Sequence, residues 1–136
     1  MKKRELPGII QLPETVAKGG KLSFIEGNHI PFLVKRVFWI YDIKAETERG
    51  GHAHINADQV LICLQGHVHI DLESTRGDRY SFDLDDPSRA LYFPRQHWLN
   101  MQCAQGTILM VLASNEYNEN GYIKDYKDFK ALDHEV

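Results

Sequence analysis

The chain has 136 residues, 43% hydrophobic and 26% charged, with a net charge of -3 when histidine is neutral. That length fits one domain over 1–136, large enough to hold a core without a metal or a disulfide. The charge excludes a broad electrostatic surface for nucleic acid and leaves room for a locally basic pocket around one phosphorylated ligand.

Lys2, Lys3 and Arg4 precede no apolar run, and Pro7, Gly8 and Pro13 interrupt any helix there, so 1–18 reads as an N-terminal arm and not as a signal peptide. No apolar stretch is long enough to cross a bilayer. Leu22 to Glu26 is a candidate strand after Gly19-Gly20, and Val34 to Ile43 is the longest β-favouring run. Gln59 to Leu64 ends at Gly66. Val68 to Glu73 alternates, with Val68, Ile70 and Leu72 on one face and His69 on the other, where His67 and His69 read as solvent-facing. Arg76-Gly77-Asp78 reads as a hairpin turn before Tyr80 to Leu84. Ala90 to Phe93, His97 to Gln102 and Thr107 to Ser114 supply the last strands. Tyr117 to Phe129 spaces Tyr122, Tyr126 and Phe129 near helical intervals, which predicts a helical segment over 117–131 covering one barrel opening. Evenly spaced short strands argue for an all-β fold, an antiparallel barrel or sandwich. Cys63 and Cys103 sit in apolar stretches without CxxC spacing and read as buried thiols of a reducing, cytoplasmic compartment.

The strongest chemical feature is Arg49-Gly50-Gly51-His52-Ala53-His54. Residues two apart on a strand share a face, so His52 and His54 project together. Paired imidazoles ligate a metal, act as an acid and base near neutral pH, or belong to a solvated strand. A metal would also need Asp58 and His97. Arg36, in an apolar strand, is either an interior partner for phosphate or carboxylate or an outward residue; Arg49 and Arg95 share the planar fork that suits a diphosphate. Trp39, Trp98 and Tyr92 are able to stack on a base or sugar and equally to pack a core.

With these segments placed, the chain resembles the cupin-fold sugar-nucleotide 3,4-ketoisomerases. Ile30-Pro31-Phe32 with Lys35-Arg36-Val37 carries part of the resemblance, as do His52-Ala53-His54 with Asp58-Gln59-Val60-Leu61, and Leu91-Tyr92 with Trp98 and Met101. Met110 to Ser114, Tyr117, Tyr122-Ile123, Tyr126 and Phe129 complete it, over about Gly20 to Phe129. The resemblance implies a single cupin-type jelly roll and an isomerase that needs no metal or cofactor. It implies that the ketone of a dTDP-4-keto-6-deoxyhexose moves from C4 to C3 through an enediol, in the making of deoxyamino sugars for surface glycans such as O-antigen. His54 matches the base at C3 and His52 a proton relay. Arg36, Arg49, Phe38, Tyr92, His97, Trp98 and Asn100 are the expected substrate contacts, and a homodimer with exchanged N-terminal strands is implied, with no nucleic-acid or membrane partner. Three positions depart from the family pattern: Gly19 stands where the family has Arg, Phe38 where it has Tyr, and Leu99 where it has His. His97, two residues before Leu99, faces the same side and is the candidate to fill in. The alternatives are a non-catalytic sugar-nucleotide-binding cupin and a metal-dependent cupin enzyme built on His52, His54, Asp58 and His97.

Overall fold

The computed structural model describes residues 6–132. Twelve strands and one short helix occur among them: β1 (Gly8–Gln11), β2 (Glu14–Ala17), β3 (Gly20–Ser23), β4 (Arg36–Ile40), β5 (Thr47–His54), β6 (Gln59–Gln65), β7 (Val68–Ser74), β8 (Arg79–Leu84), β9 (Arg89–Phe93), β10 (His97–Cys103), β11 (Ile108–Ala113), β12 (Tyr122–Ile123) and α1 (Tyr126–Ala131). Two five-stranded antiparallel sheets form in the orders β1-β9-β6-β11-β4 and β12-β5-β10-β7-β8, while β2 and β3 make a separate hairpin. This is the expected jelly roll in its sandwich form: among the described residues no hydrogen-bonded ladder joins the two sheets into a closed barrel.

Alternation along the strands explains the layers. On β6, Leu61 and Cys63 point between the sheets, where they meet Val68, Ile70 and Leu72 of β7, Leu99 and Met101 of β10, and Val111 of β11. Val60 and Ile62 point the opposite way, into a second apolar layer with Leu12, Ile30, Ala90, Tyr92 and Leu112. Strands that are apolar on both faces need cover on both sides. The segments around Leu12 and Ile30 supply it for the first sheet, so the interior site forms between the sheets and not behind them.

Several boundaries differ from expectation. The arm expected over 1–18 contains β1 and β2, with its first five residues outside those described. β1 follows Pro7 and begins at Gly8, which suits an edge strand; among the described residues it pairs with β9 alone. The strand expected at Leu22 to Glu26 starts earlier, because Lys18 (φ 51°) and Gly19 (φ 78°) both take the positive φ of a two-residue hairpin turn. The segment over 117–131 is not one helix. A 3₁₀ turn at Glu119–Gly121 and β12 precede α1, which Asp125 caps by accepting from the Asp128 backbone N–H at 3.1 Å. Nor does α1 cover an opening. Trp98 points out of the second sheet, and fully buried Phe129 packs 5.7 Å from it, so the helix lies on that sheet's outer face.

β5 carries the one irregularity that matters for the site. Leu99 pairs with His52 and Asn100 with Gly50, leaving Gly51 as an extra residue in a bulge. Across the bulge the inward parity changes: His52 and His54 face the interior, and so does Arg49, opposite Met101. Gly50 (φ 104°) permits this, since a Cβ there would lie 2.5 Å from the Leu99 carbonyl oxygen. Gly50→Ala is therefore expected to lower the unfolding free energy by about 1–3 kcal/mol, read from the denaturation midpoint; an unchanged midpoint contradicts this reading of the bulge.

Candidate functional site

His52 and His54 project from β5 into the space between the sheets, with ring centroids 5.2 Å apart and the rings edge to face. Tyr122 of β12 stands beside them, its ring 4.6 Å from His54 and 5.3 Å from His52. β12 pairs with β5, Tyr122 opposite His54, which closes the sheet edge beside the imidazoles. Two adjoining chambers of about 420 Å³ each meet here and share Arg36, His54, Gln59 and Tyr122. One runs inward past His52, Phe38, Leu61, Leu99 and Met101. The other runs outward past Lys35, Asn56, Asn115 and Tyr117.

Arg36 faces inward, which resolves the ambiguity left by its sequence. Its guanidinium lies 4.2 Å from the Phe38 ring centroid and 5.0 Å from that of Tyr117, a cation–π arrangement that holds the fork at the junction of the chambers. Phe38, without a hydroxyl, serves as the platform. Arg49 also lines the inner chamber.

The electrostatics favour neutral imidazoles. Burial pushes the His54 pKa down to about 4, helped by the neighbouring His52 and the Arg36 cation. Burial also lowers His52, a hydrogen bond with the Gly50 backbone opposes the shift, and Lys124 adds to it. Removing a cation from water costs more than removing a neutral ring, so both rings keep free lone pairs at neutral pH. A base beside two fixed cations is what a reaction that builds negative charge on oxygen requires.

An ion pair on a buried carboxylate anchors the strand end that bears His54. Asp58 is 3% exposed and binds the Arg95 guanidinium through both oxygens, Oδ1 to Nε and Oδ2 to Nη2, each at 3.2 Å. Oδ1 also accepts the Arg95 backbone N–H at 2.9 Å. The turn so held contains Gln96, at φ 62°, whose N–H donates to the His54 carbonyl at 2.7 Å. Arg95 is thus committed to Asp58 and not to a diphosphate.

Four expected contacts are corrected. Tyr92 is fully buried in the layer behind the first sheet, 6.3 Å from the Phe32 ring, because it shares the outward parity of Val60. Trp98 and Asn100 have the outward parity of β10 and line a separate groove of about 680 Å³ with Asp71, Tyr80 and Tyr126. His97 does face inward, as the spacing predicted. Its Nδ1 sits 3.1 Å and 3.2 Å from the Pro94 and Arg95 carbonyl oxygens, and its ring lies 6.2 Å from Tyr80, so it does not fill in for Leu99. Trp39 is on the outside of β4 and largely exposed. With Asp58 bound to Arg95 and His97 tied to two carbonyls, the donors a metal-dependent cupin would need do not converge. Among the described residues no three histidine, cysteine, aspartate or glutamate side chains are arranged to hold a metal ion. Tyr122 and Gln59 were missed. The signal for Gln59, 2% exposed, was a polar residue at an inward position of an apolar strand; Tyr122 was read as helix packing.

A jelly roll with two adjacent imidazoles beside an arginine between its sheets defines a small cupin-like domain. The chain belongs to the family whose model is described as FdtA: WxcM-like, C-terminal, which matches residues 5–134. It is 38% identical over 124 residues to the TDP-4-oxo-6-deoxy-alpha-D-glucose-3,4-oxoisomerase of Aneurinibacillus thermoaerophilus, a match covering 90% of this chain and 88% of that protein. A histidine-to-asparagine mutant of the 3,4-ketoisomerase QdtA from Thermoanaerobacterium thermosaccharolyticum, in complex with TDP-4-keto-6-deoxyglucose, superposes with a TM-score of 0.86 at 36% identity over 93% of this chain and 92% of that one. A 3,4-ketoisomerase from Helicobacter canadensis superposes with a TM-score of 0.87 at 35% identity over 95% and 98%.

The burial of the two rings is checked by imidazole nitrogen NMR across pH. His54 is expected to titrate near pH 4 and His52 below 6.5; a His54 that titrates at 6.5 or above contradicts the enclosed site.

Proposed function

We propose that this protein is a sugar-nucleotide 3,4-ketoisomerase acting on TDP-4-keto-6-deoxyglucose or a close relative, moving the ketone from C4 to C3 through an enediol. The observation that carries the reading is the pair of imidazoles, ring centroids 5.2 Å apart, that lines a chamber with Arg36, in a chain 38% identical to a 3,4-oxoisomerase. His54 is the base that takes the C3 proton, and His52 relays the hydroxyl proton. Arg36 and Arg49 supply the fixed positive charge for the diphosphate and for the oxygen that becomes negative. The reaction moves two protons and one electron pair from C3 to C4 within one molecule, so these side chains suffice without a redox cofactor. Absence of a metal or cofactor requirement is part of the proposal. The product suits a pathway to deoxyamino sugars of surface glycans, and two buried free thiols, Cys63 and Cys103, suit a cytoplasmic setting.

The protein is proposed to work as a homodimer that exchanges its N-terminal strands. The hairpin of β2 and β3 is exposed along its whole length, with Val16 74% and Leu22 57% exposed, and the outer side of β4 shows Val37, Trp39 and Tyr41. Such an apolar surface is expected to be covered by another chain. Sedimentation is expected to show a dimer that Val16→Asp with Leu22→Asp shifts to monomer; a wild-type monomer contradicts it.

The function is tested by incubating the protein with TDP-4-keto-6-deoxyglucose in deuterated water. A new 3-keto sugar with solvent deuterium at carbon is expected, and His54→Ala is expected to lower kcat by at least about 10²-fold. Binding of the substrate without turnover favours the non-catalytic alternative and contradicts the proposal.

A further inference from the structure

Among the described residues the two sheets share no hydrogen-bonded ladder, yet the site draws on both: His54 from β5 of the second sheet and Arg36 from β4 of the first. The gap between them needs a strut. We infer that Asp58 and Arg95 are positioning residues that set the spacing of His54 from Arg36, and so act on turnover without touching the substrate. The inference rests on the isomerase reading above for its effect on turnover, and on the fold alone for its effect on His54.

Topology brings the pair together. The chain crosses from the second sheet to the first between β5 and β6, and Asp58 lies in that crossing. It crosses back between β9 and β10, where Arg95 lies. The ion pair therefore ties two crossings together, beside the outer chamber that Asn56 and Gln59 line. Neither Asp58 nor Arg95 lines either chamber.

Their reach is through the backbone. Toward the second sheet, Asp58 Oδ1 accepts the Arg95 N–H at 2.9 Å, and the next N–H, of Gln96, donates to the His54 carbonyl oxygen at 2.7 Å. Gln96 takes φ 62°, which few residues other than glycine adopt, so its turn depends on outside support. The guanidinium fork on both Asp58 oxygens gives that support. Toward the first sheet, the Asp58 N–H donates to Ser114 Oγ at 2.9 Å, and the Ser114 N–H donates back to the Asp58 carbonyl oxygen at 3.0 Å. Ala113, the residue before, accepts the Lys35 N–H at 2.9 Å and pairs with Arg36 in the ladder of β4 and β11. Asp58 is the joint of this path: its side chain holds the His54 side and its backbone holds the Arg36 side. Turnover is sensitive to such a joint, because a misplacement of about 1 Å at the reacting atoms costs on the order of 10²-fold in rate.

The test uses two full-length variants. Arg95→Lys keeps the charge and loses the fork, while Ser114→Ala cuts the first-sheet bond and leaves the ion pair whole. Each is expected to lower kcat on TDP-4-keto-6-deoxyglucose by about 10-fold or more and to leave KM within about 2-fold. Ser114→Thr, which restores the hydroxyl, is expected to recover kcat. Imidazole nitrogen NMR gives a readout independent of activity. The groups facing His54 are His52 on its own strand, Tyr122 on β12 and Arg36 across the gap. A wider gap hydrates His54 and moves the Arg36 cation away, and both changes raise its pKa. The His54 titration is therefore expected to move up from about 4 toward 6.5, by at least about half a pH unit, in both variants. A lowered denaturation midpoint with kcat and the His54 titration unchanged, measured well below that midpoint, overturns the inference. A raised KM with kcat intact overturns it as well. Absence of turnover in the wild type overturns the isomerase reading, and the His54 titration then decides the inference by itself. Should Arg95→Lys not fold, Ser114→Ala carries both readouts.

Discussion

The ion pair between Asp58 and Arg95 is the contact on which the site depends. A carboxylate this deeply buried is tolerated because a guanidinium and a backbone N–H satisfy it together. The pair ties the loop after β5 to the turn before β10. That turn in turn holds the His54 carbonyl through Gln96. At the other end of the same strand segment the Gly50–Gly51 bulge sets which side chains face inward. Between these two anchors stand His52 and His54, packed against each other and against Tyr122.

Much of this was legible in the sequence, and the failures have particular causes. The HxH spacing placed both imidazoles on one face because a strand has period two. Period two alone would turn Arg49 away from the two imidazoles; the glycine pair inserts a residue and brings it to their side. Tyr92, Trp98 and Asn100 were polar or aromatic residues in strands of uncertain phase, and parity sent all three away from the chamber. On β10 the period placed His97 on the inner face correctly, but spacing along a strand says nothing of how far along the sandwich a side chain sits. His97 lies at the end beside Tyr80, away from the chamber. The C-terminal aromatics matched a helical interval over a segment that instead contains a turn, a two-residue strand and a short helix. Tertiary pairing of Tyr122 with His54 overrode that local pattern.

The departures from the family pattern acquire physical meaning once placed. Gly19 sits in an exposed hairpin turn at positive φ, a position that glycine suits and that an arginine would occupy with strain. Leu99 and Phe38 both face the inner chamber, where each exchanges a polar group for hydrocarbon. Their combined effect is to concentrate the polar chemistry on β5 and β12. Burial and the Arg36 cation beside it lower the pKa of the His54 imidazole. Fold and electrostatics therefore trace to the same few inward positions.

The central claim is that a hexose is held between the imidazole wall and the Phe38 wall. A crystal structure of the His54→Asn protein with TDP-4-keto-6-deoxyglucose tests it most directly. The account predicts C3 of the sugar within about 3–3.5 Å of the residue 54 side chain, with the diphosphate at Arg36 and the ring across from Phe38. A hexose seated in the outer groove beside Trp98 and Asn100, or turned out toward solvent with the inner chamber empty, would contradict it.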